Sequence, residues 1–464
     1  MKILQSVLIP CTILFFLAGC TAESKKDDRP NVLLLLADDM GYGELGSYGQ
    51  EVILTPYLDQ LAKDGMRFSN FYTGTSVCSP SRAVLMTGMH TGHVSIRGNK
   101  GKYEDKWDRV ALRKSEQTMG EMMKQAGYQT AFVGKWHLGV PEDMSTWAMG
   151  RGFDYAIQEQ WGVSDKGEVF DERMHWIDNR MDSSFYDFEN YECLDEFRTN
   201  FALRYLEEKA ANKPFFLLMS YRIPHAHEFH IRHNDMYSGN GWPEIERTHA
   251  ARITMLDRQI NRLLSALKER GELDNTLVIF TSDNGPHNAN KHDRHFFNSA
   301  GGLKGYKRDL YEGGIRVPMI ASWKGKIKPA SQTDQPAVFY DIMPTLAEVA
   351  GVDAPAQTDG ISILPTLLGK SQPQHGHLYW EIQDGASQKG FKQAAKKGKW
   401  KAVRYGASYK TELYDLSTDP FEAQDLSSSH PELVQEFNQI LQNESKKIEH
   451  YPFSGGIFRT TESN

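Results

Sequence analysis

Two short acidic clusters are the first residues in this sequence whose type and spacing could do chemistry. Asp38 and Asp39 close the apolar run Asn31-Val32-Leu33-Leu34-Leu35-Leu36-Ala37, a place where unpaired negative charge is costly without a cation. Ser282-Asp283-Asn284-Gly285 follows another apolar run, and the oxygen donors of the two clusters together suit a hard divalent ion, calcium or magnesium, better than zinc. Each cluster also has an ordinary reading, since an Asp-Asp pair serves as a helix cap or turn and Asp-Asn-Gly is a common turn. Their meaning comes from company. Lys135, His137 and His225 also stand just beyond apolar runs; taken singly, such residues are solvated surface groups or satisfied structural histidines.

The elements that must position these residues are legible from patterning. The run 31–37 reads as a strand buried on both faces, and further buried strands are expected at Thr130–Val133, Phe215–Ser220 and Leu277–Thr281, with helical patterns at Thr118–Ala126 and His249–Arg270. Strands alternating with helices predict an α/β domain with a large, mainly parallel sheet sandwiched by helices. Ligands collect beyond the C-terminal ends of such strands, where Asp38, Asp39, Lys135, His137, His225, Asp283 and Asn284 all fall. The Gly-, Pro- and polar-rich stretch 351–377 separates this unit, residues 30–355, from a tail of different texture, residues 375–464. In the tail, Leu378–Ile382, Lys399–Tyr405 and Thr411–Asp415 predict a small antiparallel sheet, and Pro431–Ile448 a closing amphipathic helix.

The whole chain narrows the setting. With 464 residues it is too long for one ordinary core. A net charge of -7 and a pI near 6.2 give no footprint for nucleic acid; a polyanionic ligand would need a local basic pocket. Lys2 precedes an apolar run, Val7 to Gly19, too short to span a bilayer, and Leu17-Ala18-Gly19-Cys20 resembles the bacterial lipobox. Residues 1–20 then read as a lipoprotein signal and 21–29 as a tether, anchoring an exported protein at a periplasmic or outer-membrane surface through a lipid on Cys20; the other reading is a Sec signal with small residues at its cut site. Cys11 and Cys20 are thereby removed from the body. Cys78 and Cys193 remain, and no disulfide is expected, Cys193 being a lone buried thiol.

Cys78-Ser79-Pro80-Ser81-Arg82-Ala83-Val84-Leu85-Met86-Thr87-Gly88 resembles the signature of the type I sulfatase family, alkaline phosphatase-like in fold, in which the Cys is oxidised after synthesis to formylglycine. Further segments match in the family's order: Gly134-Lys135-Trp136-His137-Leu138-Gly139, Pro224-His225, Asp283-Asn284-Gly285 and Leu310-Tyr311-Glu312-Gly313-Gly314-Ile315-Arg316-Val317-Pro318. The resemblance implies catalytic roles for Cys78, Arg82, Lys135, His137, His225 and Lys307, and one calcium per chain on Asp38, Asp39, Cys78, Asp283 and Asn284. Lys304 falls where the family often has arginine. His225-Ala226-His227-Glu228 departs from the commoner Pro-His-x-Pro, which leaves His227 as an alternative to His225.

A sulfate ester spreads one charge over its oxygens, so a site that cleaves it needs several fixed cations around them and a metal to polarise them. The expected reaction, by resemblance, is attack on sulfur by one hydroxyl of hydrated formylglycine, with His225 protonating the leaving alcohol and Lys135 and His137 orienting and deprotonating the diol. The implied partners are a sulfated saccharide, with galactose or N-acetylgalactosamine units favoured, and a formylglycine-generating or anaerobic maturation enzyme. The loops Arg97–Lys106 and Glu159–Arg180 would shape specificity. The competing readings are a phosphate monoester or phosphonate ester hydrolase of the same superfamily and, from another class, a non-catalytic sulfated-glycan-binding lipoprotein.

Overall fold

The computed structural model describes residues 27–104, 106–159, 174–178, 180–185, 189–209, 212–226, 231–232, 235–406 and 410–455. The expected signal segment with Cys20, His227 and most of the loop 159–180 lie outside them.

Among the described residues ten strands make the main sheet: β1 Asn31–Asp38, β2 Met66–Phe68, β3 Gln129–Gly134, β4 Tyr155–Glu159, β5 Met174–Ile177, β6 Arg180–Phe185, β7 Phe215–Pro224, β8 Thr276–Ser282, β9 Met319–Ser322 and β10 Ser331–Thr333. Their order across the sheet is β10-β2-β9-β8-β1-β7-β3-β4-β5-β6. The central run from β8 to β4 is parallel, with β1 between β7 and β8, while β9 and β5 join antiparallel at its flanks. This is the mainly parallel α/β sheet the patterning predicts.

Alternation along β1 explains why its run is apolar throughout. Val32, Leu34 and Leu36 enter one core, and Leu33, Leu35 and Ala37 the other, all at most 1% exposed. Helices α1 Pro56–Asp64, α4 Leu194–Glu208 and α5 Glu244–Glu269 supply the second core; α2 Cys78–Thr87, α3 Met119–Gln125 and α6 Ile342–Ala350 supply the first. Helix α3 starts at Thr118 through a capping box with Glu121, a pairing that satisfies two exposed N–H groups at once. Helix α5 begins five residues before the expected His249. Its first turn, Glu244-Ile245-Glu246, is polar enough to hide the apolar period, yet the acids suit a helix N-terminus.

The tail forms a four-stranded antiparallel sheet in chain order, β11 Leu378–Gln383, β12 Phe391–Lys397, β13 Trp400–Tyr405 and β14 Glu412–Asp415. One face, with Leu378, Trp380, Ile382, Ala394 and Val403, belongs to the first core of the main unit. The other packs Tyr379, Ala395, Ala402 and Leu413 against Phe437 and Leu441 of helix α7 Pro431–Asn443. Strand β12, Phe-Lys-Gln-Ala-Ala-Lys-Lys, is absent from the sequence expectation because its lysines and glutamine mask the alternation; Gln393 is nonetheless buried, bonded to Tyr379, Leu441 and Arg404. Helix α7 stops five residues short of the expected Ile448, at Asn443.

Candidate active site

Five adjacent parallel strands deliver the functional side chains to one edge of the sheet. Asp38 ends β1 and Asp39 follows it, Lys135 follows β3, Glu159 ends β4, Arg222 lies near the end of β7 with His225 just after it, and Asp283 and Asn284 follow β8. Cys78 is the first residue of α2, a helix buried along its whole length and ended by Gly88, whose φ of +68° gives the left-handed turn that returns its N–H to Val84. Arg82 stands one turn after Cys78, on the same face.

Cys78 Sγ lies 3.5 Å from Asp38 Oδ1 and 3.9 Å from Asp39 Oδ1. Around these groups every charge has an opposite. Lys135 Nζ is 2.6 Å from Asp38 Oδ2, Lys307 Nζ is 2.7 Å from Asp39 Oδ2, and Arg82 donates through Nε to Asp283 Oδ2 at 2.8 Å. Arg82 Nη1 also reaches the carbonyl of Lys135 and Ser220 Oγ, at 2.7 and 2.5 Å. Its hydrogen bonds therefore join the ends of β8 and β3 to β7. His225 Nε2 is 3.8 Å from Asp39 Oδ2. The residues expected from the sequence, Cys78, Arg82, Lys135, His225, Lys307, Asp38, Asp39, Asp283 and Asn284, thus meet at one place. His137 is tied in through its carbonyl, which accepts Ser79 Oγ–H at 2.8 Å.

Electrostatics follow from burial and this ring. Burial opposes ionisation of Asp38, but Lys135, Arg82, Arg222 and Lys307 outweigh it and hold its carboxyl far below the usual range. Burial pushes Asp283 up to about 6 against the pull of Arg82, with Asp38 adding to the rise. The Cys78 thiol is pushed up to about 12, chiefly by burial, so an unconverted thiol is a poor nucleophile here. Burial and then Arg109 and Lys135 keep His137 well below its ordinary value, hence neutral.

Three carboxylates within one buried site invite a cation. Asn284 supplies the test: its Nδ2 donates to Asp39 Oδ1 at 2.7 Å and to the Gly285 carbonyl, but its buried Oδ1 accepts no hydrogen bond. A buried amide oxygen left without a donor, on a side chain that borders a set of acidic groups, fits a hard oxygen-binding ion. Asp38, Asp39, Cys78 and His225 also place one donor atom each within 4.8 Å of one another.

Arg222 and Glu159 were missed from sequence. Arg222 is fully buried, 3.7 Å from Asp38 Oδ2 and 2.9 Å from Glu159 Oε1, and Glu159 Oε2 takes Arg198 at 2.7 Å. The available signal was an arginine inside an apolar strand, Phe-Phe-Leu-Leu-Met-Ser-Tyr-Arg-Ile-Pro. Two residues named from the sequence pair with the tail. Arg97, taken as the start of a specificity loop, is buried and paired with Glu381 of β11, although Asn99 beside it accepts the Ser79 N–H at 3.1 Å. Lys304 sits against the tail, bonded to Tyr414 Oη and the Glu422 carbonyl.

Residues 30–352 match the family model described as Sulfatase. The chain belongs to the sulfatase family. Residues 304–449 match a second model, N-sulphoglucosamine sulphohydrolase, C-terminal. The sulfatase is 30% identical to arylsulfatase A of Homo sapiens over 93% of this chain and 90% of that one. It is 28% identical to the N-acetylgalactosamine-6-O-sulfatase of Bacteroides thetaiotaomicron over 92% and 96%. Among solved structures it is similar to Ps i-CgsB in complex with k-i-k-neocarrahexaose, with a TM-score of 0.77 and 25% identity over 89% of this chain and 92% of that one. The fold is that of sulfatases of the alkaline phosphatase superfamily, and the enzyme is a sulfuric ester hydrolase.

Proposed function

We propose that this sulfatase removes sulfate from a sulfated carbohydrate, using formylglycine made from Cys78 and one calcium ion held by Asp38, Asp39, Asp283 and Asn284 together with position 78. The observation that carries the reading is the setting of Cys78: the first residue of a buried helix, its Sγ beside two strand-end aspartates and inside a ring of lysine, arginine and histidine. Sγ occupies the place that the oxygens of a hydrated aldehyde would take. Galactose or N-acetylgalactosamine sulfates are the favoured substrates, a choice supported by relatives named N-acetylgalactosamine-6-O-sulfatase in Bacteroides thetaiotaomicron and N-acetylgalactosamine-6-sulfatase in Homo sapiens, the second 31% identical over 73% of this chain. A maturation enzyme that oxidises Cys78, and export with a lipid on Cys20, complete the proposal.

Calcium, when bound, would polarise the sulfate oxygens and favour loss of a proton from the diol. A carbon bearing two hydroxyls needs no second water, because one oxygen takes the sulfo group and the other, on losing its proton, restores the aldehyde and expels sulfate. The chain's own residues do the rest. Arg82, bound to Asp283, Lys135 and Ser220, fixes the strand ends. Lys135 and Lys307 hold their positive charges where the anionic ester arrives. Lys135 orients the diol, neutral His137 deprotonates it, and His225 gives a proton to the departing alcohol oxygen as the S–O bond breaks.

The test is mass spectrometry of the peptide Phe68–Arg82 after co-expression with a maturation enzyme, alongside turnover of aryl sulfate and aryl phosphate. The expected result is an aldehyde at position 78, sulfate preferred over phosphate, and no turnover in Cys78→Ala with its fold intact by circular dichroism. A thiol at position 78 in an active preparation, or turnover retained in Cys78→Ala, overturns it.

A further inference from the structure

Ser79 follows the nucleophile position and is 3% exposed, yet its hydroxyl does not do the usual work of a serine at a helix start. A serine there commonly accepts a backbone N–H of its own helix. Helix α2 starts from Val77, which offers no side-chain cap, and Ser79 Oγ–H instead donates across to the His137 carbonyl at 2.8 Å.

His137 needs holding. Its φ of +58° lies in the left-handed region, where a residue with a Cβ is strained and stays only if its surroundings enforce the turn. Its neighbours are pinned: the Lys135 N–H binds the Ser220 carbonyl at 3.0 Å, the Leu112 N–H binds the Leu138 carbonyl at 2.9 Å, and Trp136 Nε1–H binds the Thr146 carbonyl at 2.8 Å. The bond from Ser79 fixes the peptide that leaves His137 itself. The other end of that bond is equally well anchored. The Ser79 N–H, one of the first-turn donors that a helix cannot satisfy internally, goes to Asn99 Oδ1 at 3.1 Å. The loop of Asn99 is in turn held by the tail, through the Gln383 N–H of β11 on the Arg97 carbonyl at 2.8 Å and Tyr451 Oη–H on the Gly98 carbonyl at 3.1 Å.

We propose that Ser79 is a positioning residue for the reaction: its hydroxyl holds the His137 backbone in the left-handed turn and so sets where the imidazole stands relative to position 78. The proposal rests on the reading above, in which His137 takes a proton from a hydrated aldehyde at that position. Because Ser79 is the next residue along α2, the bond ties the base to the group it deprotonates. Without the hydroxyl the turn relaxes, and a base displaced by about 1 Å costs up to about 100-fold in rate. Lys135 and Lys307 keep their own anchors on Asp38 and Asp39, so the grip on the anionic ester is unchanged. A bond that only stabilised the fold would lower the melting temperature and leave kcat alone.

Ser79→Ala, Ser79→Thr, His137→Ala and the double variant Ser79→Ala, His137→Ala are co-expressed with a maturation enzyme, and kcat on aryl sulfate is divided by the aldehyde content at position 78 read by mass spectrometry. Ser79→Ala is expected to lose about 10- to 100-fold in kcat with KM little changed, and Ser79→Thr, which keeps the hydroxyl, to recover most of it. In His137→Ala the carbonyl remains but the ring is gone, so adding Ser79→Ala lowers the melting temperature while kcat changes by less than about two-fold. The crystal structure of Ser79→Ala is expected to show His137 out of its left-handed φ. Native kcat in Ser79→Ala, or the same proportional loss of kcat in both backgrounds, overturns the proposal. An unmoved His137 backbone in Ser79→Ala, with His137→Ala inactive, overturns the role of Ser79 alone; native kcat in His137→Ala overturns the assignment of the base and the role of Ser79 together.

Discussion

Arg222 contributes more to the site than its sequence neighbours suggest. Fully buried, it lies 3.7 Å from Asp38 and 2.9 Å from Glu159, so it both helps hold Asp38 ionised and compensates a carboxylate with no exposure to solvent. Removing one partner of a buried ion pair leaves the other uncompensated, a loss of about 3–5 kcal/mol. Arg222→Ala is therefore expected to unfold at lower urea concentration by that amount and to lose kcat/KM on aryl sulfate, whereas Arg222→Lys recovers part of both. Stability in Arg222→Ala equal to the native enzyme would show that Glu159 is satisfied by Arg198 alone. Strongly basic residues after strands were legible from sequence. Arg222 was not, because period-two patterning assigns an interior strand position to the core and says nothing about which charged partner waits there.

At the scale of elements, the ends of the strands decide the geometry. Gly134 closes β3 with φ +117°, and a Cβ there would lie 1.8 Å from the Ser220 carbonyl oxygen of β7. Glycine is required at this point by both the backbone conformation and the close approach. Gly134→Ala must open the β3–β7 ladder just before Lys135, whose Nζ holds Asp38. The expected outcome is a loss of about 1–3 kcal/mol or more, read by thermal unfolding, with a fall in kcat larger than any rise in KM. A native melting temperature would contradict it. Helix and strand boundaries were read to within a few residues where apolar period was strong, as in β1 and α3. They were missed in β12 and at the start of α5, where polar residues are buried or acids serve the helix end rather than the core.

At the scale of the molecule, the tail is docked rather than tethered. Lys401 of β13, with no exposure, binds Glu312 and Glu422, each at 2.9 Å. On another flank, Glu444 at the end of α7 meets His90 at 3.2 Å and His377 at 3.1 Å, while His93 bonds Asp359. The hydrogen bond from His90, followed by the charges of His90, His377 and His93, overcomes burial and brings Glu444 down from 4.5 to about 2. Since the folded pKa is depressed, the stabilisation is fully present above 4.5 and is lost as pH falls from there toward 2. Glu444→Gln is expected to lower the melting temperature at pH above 4.5, with the gap to the native enzyme closing through that acid window. A gap constant across the window would remove Glu444 from the account.

By itself the sequence determined the kind of chemistry and the class of fold. Paired acids after buried strands need positive charge opposite them, a continuous apolar run requires cover on both faces, and the Cys78–Gly88 segment carries a specific family pattern; all three are local constraints written in neighbouring residues. Only the tertiary structure decided which charges answer which. The pairing of Lys135 with Asp38, Lys307 with Asp39 and Arg82 with Asp283, the burial of Arg222 against Glu159, and the bond from Ser79 to the His137 carbonyl join residues tens to hundreds of positions apart. Such pairings are set by the order of strands in the sheet, and no local pattern records that order.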